Sequence, residues 1–185
     1  MTEKYSFKVI IIGPGAVGKT SLLNRFVHNE FSLKYKLTIG VDFLTKTLEY
    51  ESDKFVKLHI WDIGGQEKFK FLHRSFYDGA FGALVVFDLT RHQTFISMKQ
   101  WISEMHSIIS TDIPSVIIGN KTDLLPETGQ IIDKNEVEQY AEKQGCIYVE
   151  TSAKTGENVE KAFLDLTYHM IKKMGKIVKN SKENL

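Results

Sequence analysis

Short apolar, β-branched runs alternate with longer stretches of helical periodicity along most of this chain. Phe7–Ile12, Val56–Trp61, Ala83–Phe87, Ser115–Gly119 and Cys146–Val149 read as buried strands. The segment from Asp42 to Tyr50 alternates apolar and polar residues, as a half-exposed edge strand does. Helical patterns fall near Lys19–His28, Phe95–Ile109, Lys134–Lys143 and Glu157–Met174. The last places Ala162, Phe163, Leu166, Met170 and Met174 on one face.

Strands alternating with helices predict an α/β domain: a six-stranded, mostly parallel sheet with helices on both faces. Asp42–Tyr50 and Val56–Trp61 are joined only by Glu51–Phe55, a hairpin that makes one edge strand antiparallel. In such sheets ligands sit beyond the carboxyl ends of the strands. Candidate chemistry lies at those ends: a Gly-rich loop after the first strand, Asp62 at the third, Asn120 at the fifth, and Thr151–Lys154 after the sixth.

Composition narrows the reading only in part. The 185 residues suit one domain, 1–175, with a basic tail at 176–185. A net charge of +1 gives no reason to expect nucleic acid as a partner. The single Cys146 allows no internal disulfide and suits a reducing compartment. No apolar stretch nears the ~20 residues that span a bilayer, and neither signal peptide nor N-terminal Gly acceptor is evident. A cytoplasmic monomer, at most peripheral to membranes, is expected. The tail lysines Lys172, Lys173, Lys176, Lys179 and Lys182 read mainly as a solvated helix extension, so membrane contact is not self-sufficient.

Gly13-Pro14-Gly15-Ala16-Val17-Gly18-Lys19-Thr20 fits the P-loop pattern of Gly, four free positions, then Gly-Lys-Thr, with Ser21 just beyond. Gly13, Gly15 and Gly18 let backbone amides approach phosphates at a helix N-terminus, where the dipole favours anions. Lys19 is placed to reach the β- and γ-phosphates, and the Thr20 hydroxyl to coordinate Mg²⁺. Asp62 ends an apolar strand where an unpaired carboxylate is costly, so it reads as a Mg²⁺ holder, through water. Beyond it, Gly65 can offer a backbone N–H to the γ-phosphate and Gln66 can orient the attacking water.

A P-loop alone leaves ATP and GTP open. Asn120-Lys121-Thr122-Asp123 closes that choice. A carboxylate accepts two N–H bonds from the guanine N1 and N2 edge, which adenine cannot supply, and the wrong base leaves a buried charge unpaired. Lys121 offers its aliphatic stem as a wall for the base. Ala153 can add a backbone N–H toward guanine O6, with Ser152 and Lys154 shaping its loop.

With these residues in place, the chain resembles the Ras superfamily of small GTPases over Phe7 to Met174, and within it the Rab family. The Rab-like stretches are Ile39-Gly40-Val41-Asp42-Phe43, Lys57-Leu58-His59-Ile60-Trp61-Asp62, Gln66-Glu67-Lys68-Phe69, Phe76-Tyr77-Asp78-Gly79-Ala80 and Val85-Val86-Phe87-Asp88-Leu89-Thr90. The resemblance implies a P-loop G domain that binds GTP and GDP with Mg²⁺ and hydrolyses GTP slowly, as a switch in vesicle or membrane trafficking. It implies that Thr38 binds Mg²⁺ and the γ-phosphate, that Phe31 packs against guanine, and that Tyr35 covers the phosphates. Phe43, Trp61 and Phe76 match the aromatic triad that Rab effectors read; a GTPase-activating protein and an exchange factor are the other partners implied.

Three departures stand out. Gly13-Pro14-Gly15-Ala16 is similar to the Rho-type loop. Asp62-Ile63-Gly64-Gly65-Gln66 carries Ile-Gly where Rab and Ras proteins usually have Thr-Ala, and is similar to Arf proteins. The C-terminal cysteines that Rab proteins prenylate have no counterpart in this sequence. Two other classes are compatible with a P-loop: a non-hydrolysing GTP-binding scaffold, against which Lys19, Thr38 and Gln66 argue, and a small-molecule kinase, which would need an Arg-rich lid not found here.

Overall fold

Period-two alternation on β1 (Thr2–Ile12) divides the interior in two. Phe7, Val9 and Ile11 enter one core, while Ile10 and Ile12 enter the other. The computed structural model describes residues 2–33, 38–65, 70–109 and 112–183. β2 (Val41–Glu51), β3 (Lys54–Ile63), β4 (Gly82–Asp88), β5 (Ser115–Asn120) and β6 (Ile147–Thr151) complete a sheet of order β2-β3-β1-β4-β5-β6. All neighbours run parallel except β2, which pairs antiparallel with β3. This is the α/β architecture expected, with its antiparallel edge strand.

α1 (Lys19–His28) and α6 (Val159–Glu183) cover one face, where the Phe26 and Phe163 rings stack with centroids 3.8 Å apart. α3 (His92–Ile108) and α5 (Lys134–Lys143) cover the other. Two helices had no counterpart in the sequence pattern: α2 (Lys70–Tyr77) and the single turn α4 (Leu125–Thr128). α2 is held from outside itself, since buried His73 bonds Glu104 of α3 at 2.8 Å and lies 4.8 Å from the Trp101 ring. α6 runs past Met174 to Glu183, farther than its apolar face. No helix among the described residues is long and apolar enough to cross a membrane.

Candidate functional site

α1 begins at a backbone turn without help from a side chain. Gly18 precedes it at φ 96, no side chain caps it, and its first turn holds no acidic residue. The helix dipole is therefore left uncompensated at the end facing the cavity, where an anion would be stabilised. Gly18 admits no substitute: a Cβ there would lie 2.3 Å from Asn120 Nδ2, and φ is in the left-handed region. The P-loop and β5 thus touch through a missing side chain.

A cavity of about 490 Å³ opens above this contact. It gathers Gly15, Ala16, Gly18, Lys19, Thr20 and Ser21 from the P-loop, Phe31 and Thr38 from the first switch segment, and Gly65 after β3. Asn120, Lys121, Asp123, Ala153 and Lys154 close its other end. Gly13, Val17, Asp62 and Ser152 support this lining from behind, as their bonds below describe. Tyr35 and Gln66 lie outside the described residues.

Two charges in this cavity are poorly matched by the protein alone. Lys19 is 6% exposed and, among the described residues, its ammonium donates to the Gly13 and Pro14 carbonyls, at 2.7 and 2.9 Å. Burial drives its pKa down to about 8, with Asp62 opposing. A phosphate beside it would offset that desolvation. Asp62 is fully buried; its Oδ2 accepts from Thr20 Oγ1 and, at 3.4 Å, from Thr38 Oγ1, while Oδ1 has no partner among the described residues. Burial is the largest influence on its carboxyl and pushes it above the usual range, against the Thr20 hydroxyl and the Lys19 ammonium. The Thr20 and Thr38 hydroxyls are 2.8 Å apart. One bare carboxylate oxygen beside two clustered hydroxyls suits a hard cation that takes its remaining ligands from water and phosphate.

The opposite end is already hydrogen-bonded throughout. Asn120 Nδ2 donates to the Val17 carbonyl at 2.9 Å, and its Oδ1 accepts from Thr151 Oγ1 and the Ala153 N–H, both at 3.1 Å. The Ala153 N–H expected to face a base is thus engaged by Asn120. Ser152 Oγ donates to Asp123 Oδ1 at 2.6 Å, aiming a carboxylate that lines the cavity. Thr122 Oγ1 bonds Glu157 Oε2 at 2.7 Å and ties the two base-side segments together.

Two further residues escaped the sequence reading. Asp88 ends β4 at 1% exposure and accepts from Lys121 Nζ (2.6 Å) and Arg91 Nε (2.8 Å). Both cations also donate to the Ala16 carbonyl, at 3.1 and 2.9 Å. Burial pushes the Asp88 carboxyl up, but the bonds from Lys121 and Thr90 outweigh that and hold it below the usual range. The signal was present: the rule that singled out Asp62, a carboxylate closing an apolar strand, applies equally to Asp88. Arg25 is the second, and its guanidinium reaches the Ser152–Lys154 loop.

Away from the cavity, Phe43, Trp61 and Phe76 form a continuous aromatic strip. Their ring centroids are 5.5 and 6.2 Å apart in turn, and Phe43 is 46% exposed. Lys8 Nζ sits 4.4 Å from the Trp61 ring centroid.

Against known proteins, the model for the Ras family matches residues 8–172. The Ras-related protein RABA5b of Arabidopsis thaliana is 45% identical over 161 residues, covering 87% of this chain and 73% of that protein. The Ras-related protein RABA2a of the same plant is 44% identical over 172 residues, covering 91% and 78%. The Ras-related protein Rab-2B of Dictyostelium discoideum is 41% identical over 171 residues, covering 92% and 83%.

Proposed function

This chain belongs to the Ras family of small GTPases, Rab-like within it, and we propose that its switch is worked by the residues gathered around the cavity. As a member it binds GTP and GDP with Mg²⁺, hydrolyses GTP to GDP and phosphate, and serves membrane trafficking through effectors, activating proteins and exchange factors. The observation that carries the assignment of roles is the convergence of five chain segments on one cavity, with the buried Lys19 ammonium at one end and the Asp123 carboxylate at the other.

Lys19 and the amides of Gly13 to Thr20, with Ser21, hold the phosphates. Thr20, Thr38 and Asp62, whose side chains cluster, would hold Mg²⁺. The cation, when bound, supplies charge against that developing on the transferred phosphoryl group. Gly65 donates its backbone N–H to the γ-phosphate, and Gln66 orients the attacking water. Asp123, aimed by Ser152, reads the guanine edge; Asn120 locks the P-loop beneath it. Lys121 and Phe31 wall the base, the Ala153 and Lys154 loop backs it, and Tyr35 covers the phosphates. Loss of the γ-phosphate frees the segments at Thr38 and Gly65, and that release is the switch.

Hydrolysis by the chain alone is slow, because its three arginines are otherwise committed or remote. Arg25 bonds the base-side loop, Arg91 bonds Asp88 and Ala16, and Arg74 lies exposed on α2. An activating partner therefore inserts its own charge. Effectors read Phe43, Trp61 and Phe76, whose strip, exposed at Phe43 and half-buried at Trp61 and Phe76, supports this role. The chain works as a monomer in the cytoplasm and needs help to stay on membranes. Identifying the nucleotide that copurifies, and following phosphate release with GTP as sole substrate, tests the assignment. Adenine nucleotide in the purified protein would overturn it.

A further inference from the structure

Arg25 leaves the middle of α1 and turns toward the base end of the cavity. Its guanidinium donates four hydrogen bonds. Nε reaches the Ala153 carbonyl at 3.0 Å and Nη2 the Lys154 carbonyl at 2.7 Å. Nη1 reaches the carbonyl and Oδ1 of Asn29, at 3.0 and 3.1 Å. Asn29 caps α1 in a left-handed conformation, φ 57, and the chain then runs through Glu30, Phe31, Ser32 and Leu33 along the cavity wall. One planar fork thus joins three walls: the helix that begins at Lys19 and Thr20, the segment entering the first switch, and the base-side loop.

We propose that Arg25 is a positioning residue that sets the rate of nucleotide release, by tying the Ser152–Lys154 loop to the segment before the first switch. The proposal rests on the reading that this cavity takes a guanine nucleotide. Arg25 acts through Ala153, Lys154 and Asn29, and through them keeps Ser152 on Asp123 and the Ala153 N–H on Asn120. Its acceptors are carbonyls fixed in direction, so a rigid guanidinium serves where a flexible ammonium does not. GDP and GTP share the base that the loop backs, so both are released faster when the fork is lost. The chemistry at the γ-phosphate, on the other side of the cavity, is untouched. An exchange factor that displaces the chain at Asn29 would pull on the same fork and loosen the base end from a distance.

The test is dissociation of fluorescently labelled GDP and of a labelled, non-hydrolysable GTP analogue from the full chain with Mg²⁺, alongside single-turnover GTP hydrolysis. Arg25→Ala should release both nucleotides about ten-fold faster, while the hydrolysis rate stays within about two-fold of the unaltered protein. Arg25→Lys should fall between them, and Asn29→Ala should give a smaller acceleration. Release within two-fold of the unaltered protein in Arg25→Ala overturns the proposal. So does a variant in which release and hydrolysis deteriorate together. If Arg25→Ala does not fold, Arg25→Lys decides, and release no faster than normal overturns the idea. Failure of the unaltered protein to bind labelled GDP would strike the underlying reading instead.

Discussion

The two ends of the cavity are built differently. At the base end, Asn120, Asp123, Ser152 and Ala153 bond one another and the P-loop through buried or half-buried groups at 2.6–3.1 Å. At the switch end, Thr38 meets the rest through hydroxyl contacts at 2.8 and 3.4 Å, and Gly64 donates its N–H to the Gly40 carbonyl at 2.9 Å. Beside these contacts Ile39 is 75% exposed and Leu33 86%. The base end is organised before any ligand arrives, so binding there orders little chain. Among the described residues the switch end is joined through these hydroxyl and backbone contacts around Thr38 and Gly64, so a γ-phosphate contact at Thr38 and Gly65 can decide its position.

The largest expected effect breaks the base end. Asp123→Asn should lower GTP affinity by roughly 3 kcal/mol, about a hundred-fold, since a charge-assisted pair is lost. Preference should move toward xanthosine nucleotides, whose ring edge offers an acceptor where guanine has its amino group. Competition binding with GDP and xanthosine diphosphate checks this, and unchanged GDP affinity would remove Asp123 from the base-reading role. A smaller change is expected at the switch end. Gln66→Leu should slow single-turnover hydrolysis about ten-fold or more below an already slow rate, on the order of 10⁻⁴–10⁻² s⁻¹, with GTP affinity nearly intact. Equal rates in the two proteins would mean that Gln66 does not position the water.

The smallest effect sharpens the contrast. A Cβ on Gly64 would lie 2.8 Å from the Thr38 carbonyl and 3.0 Å from that of Gly40. Gly64→Ala must therefore push the first switch segment outward by a few tenths of an ångström. Affinity for GTP over GDP should fall by about 1 kcal/mol, some five-fold, while GDP binding stays the same. Equal losses for both nucleotides would show that Gly64 supports the base end as well.

Most strands were legible as short apolar runs and β2 as an apolar/polar alternation, and α1 and α5 because a full amphipathic period fits within them. β1 begins earlier than its apolar run, at Thr2, because backbone pairing with Lys54 and Phe55 of β3 extends it without regard to side-chain polarity. α2 was not legible: eight residues hold barely two turns, and its stabilisation comes from His73 and Tyr77 packed against α3 and the sheet. In the site, motif residues could be named from spacing alone. Arg25 and Arg91 could not, since they act through the carbonyls of Ala153, Lys154 and Ala16, distant in sequence, whereas Asp88 was within reach of the rule that picked out Asp62.

Amide hydrogen exchange of the protein loaded with GDP, and then with a non-hydrolysable GTP analogue, tests the division of labour most directly. The account predicts that protection changes at residues 38–40, 63–65 and along α2, while residues 13–20, 120–123 and 151–154 exchange alike in both states. Equal protection at the switch segments in the two states, or a change centred on the base end, would contradict it.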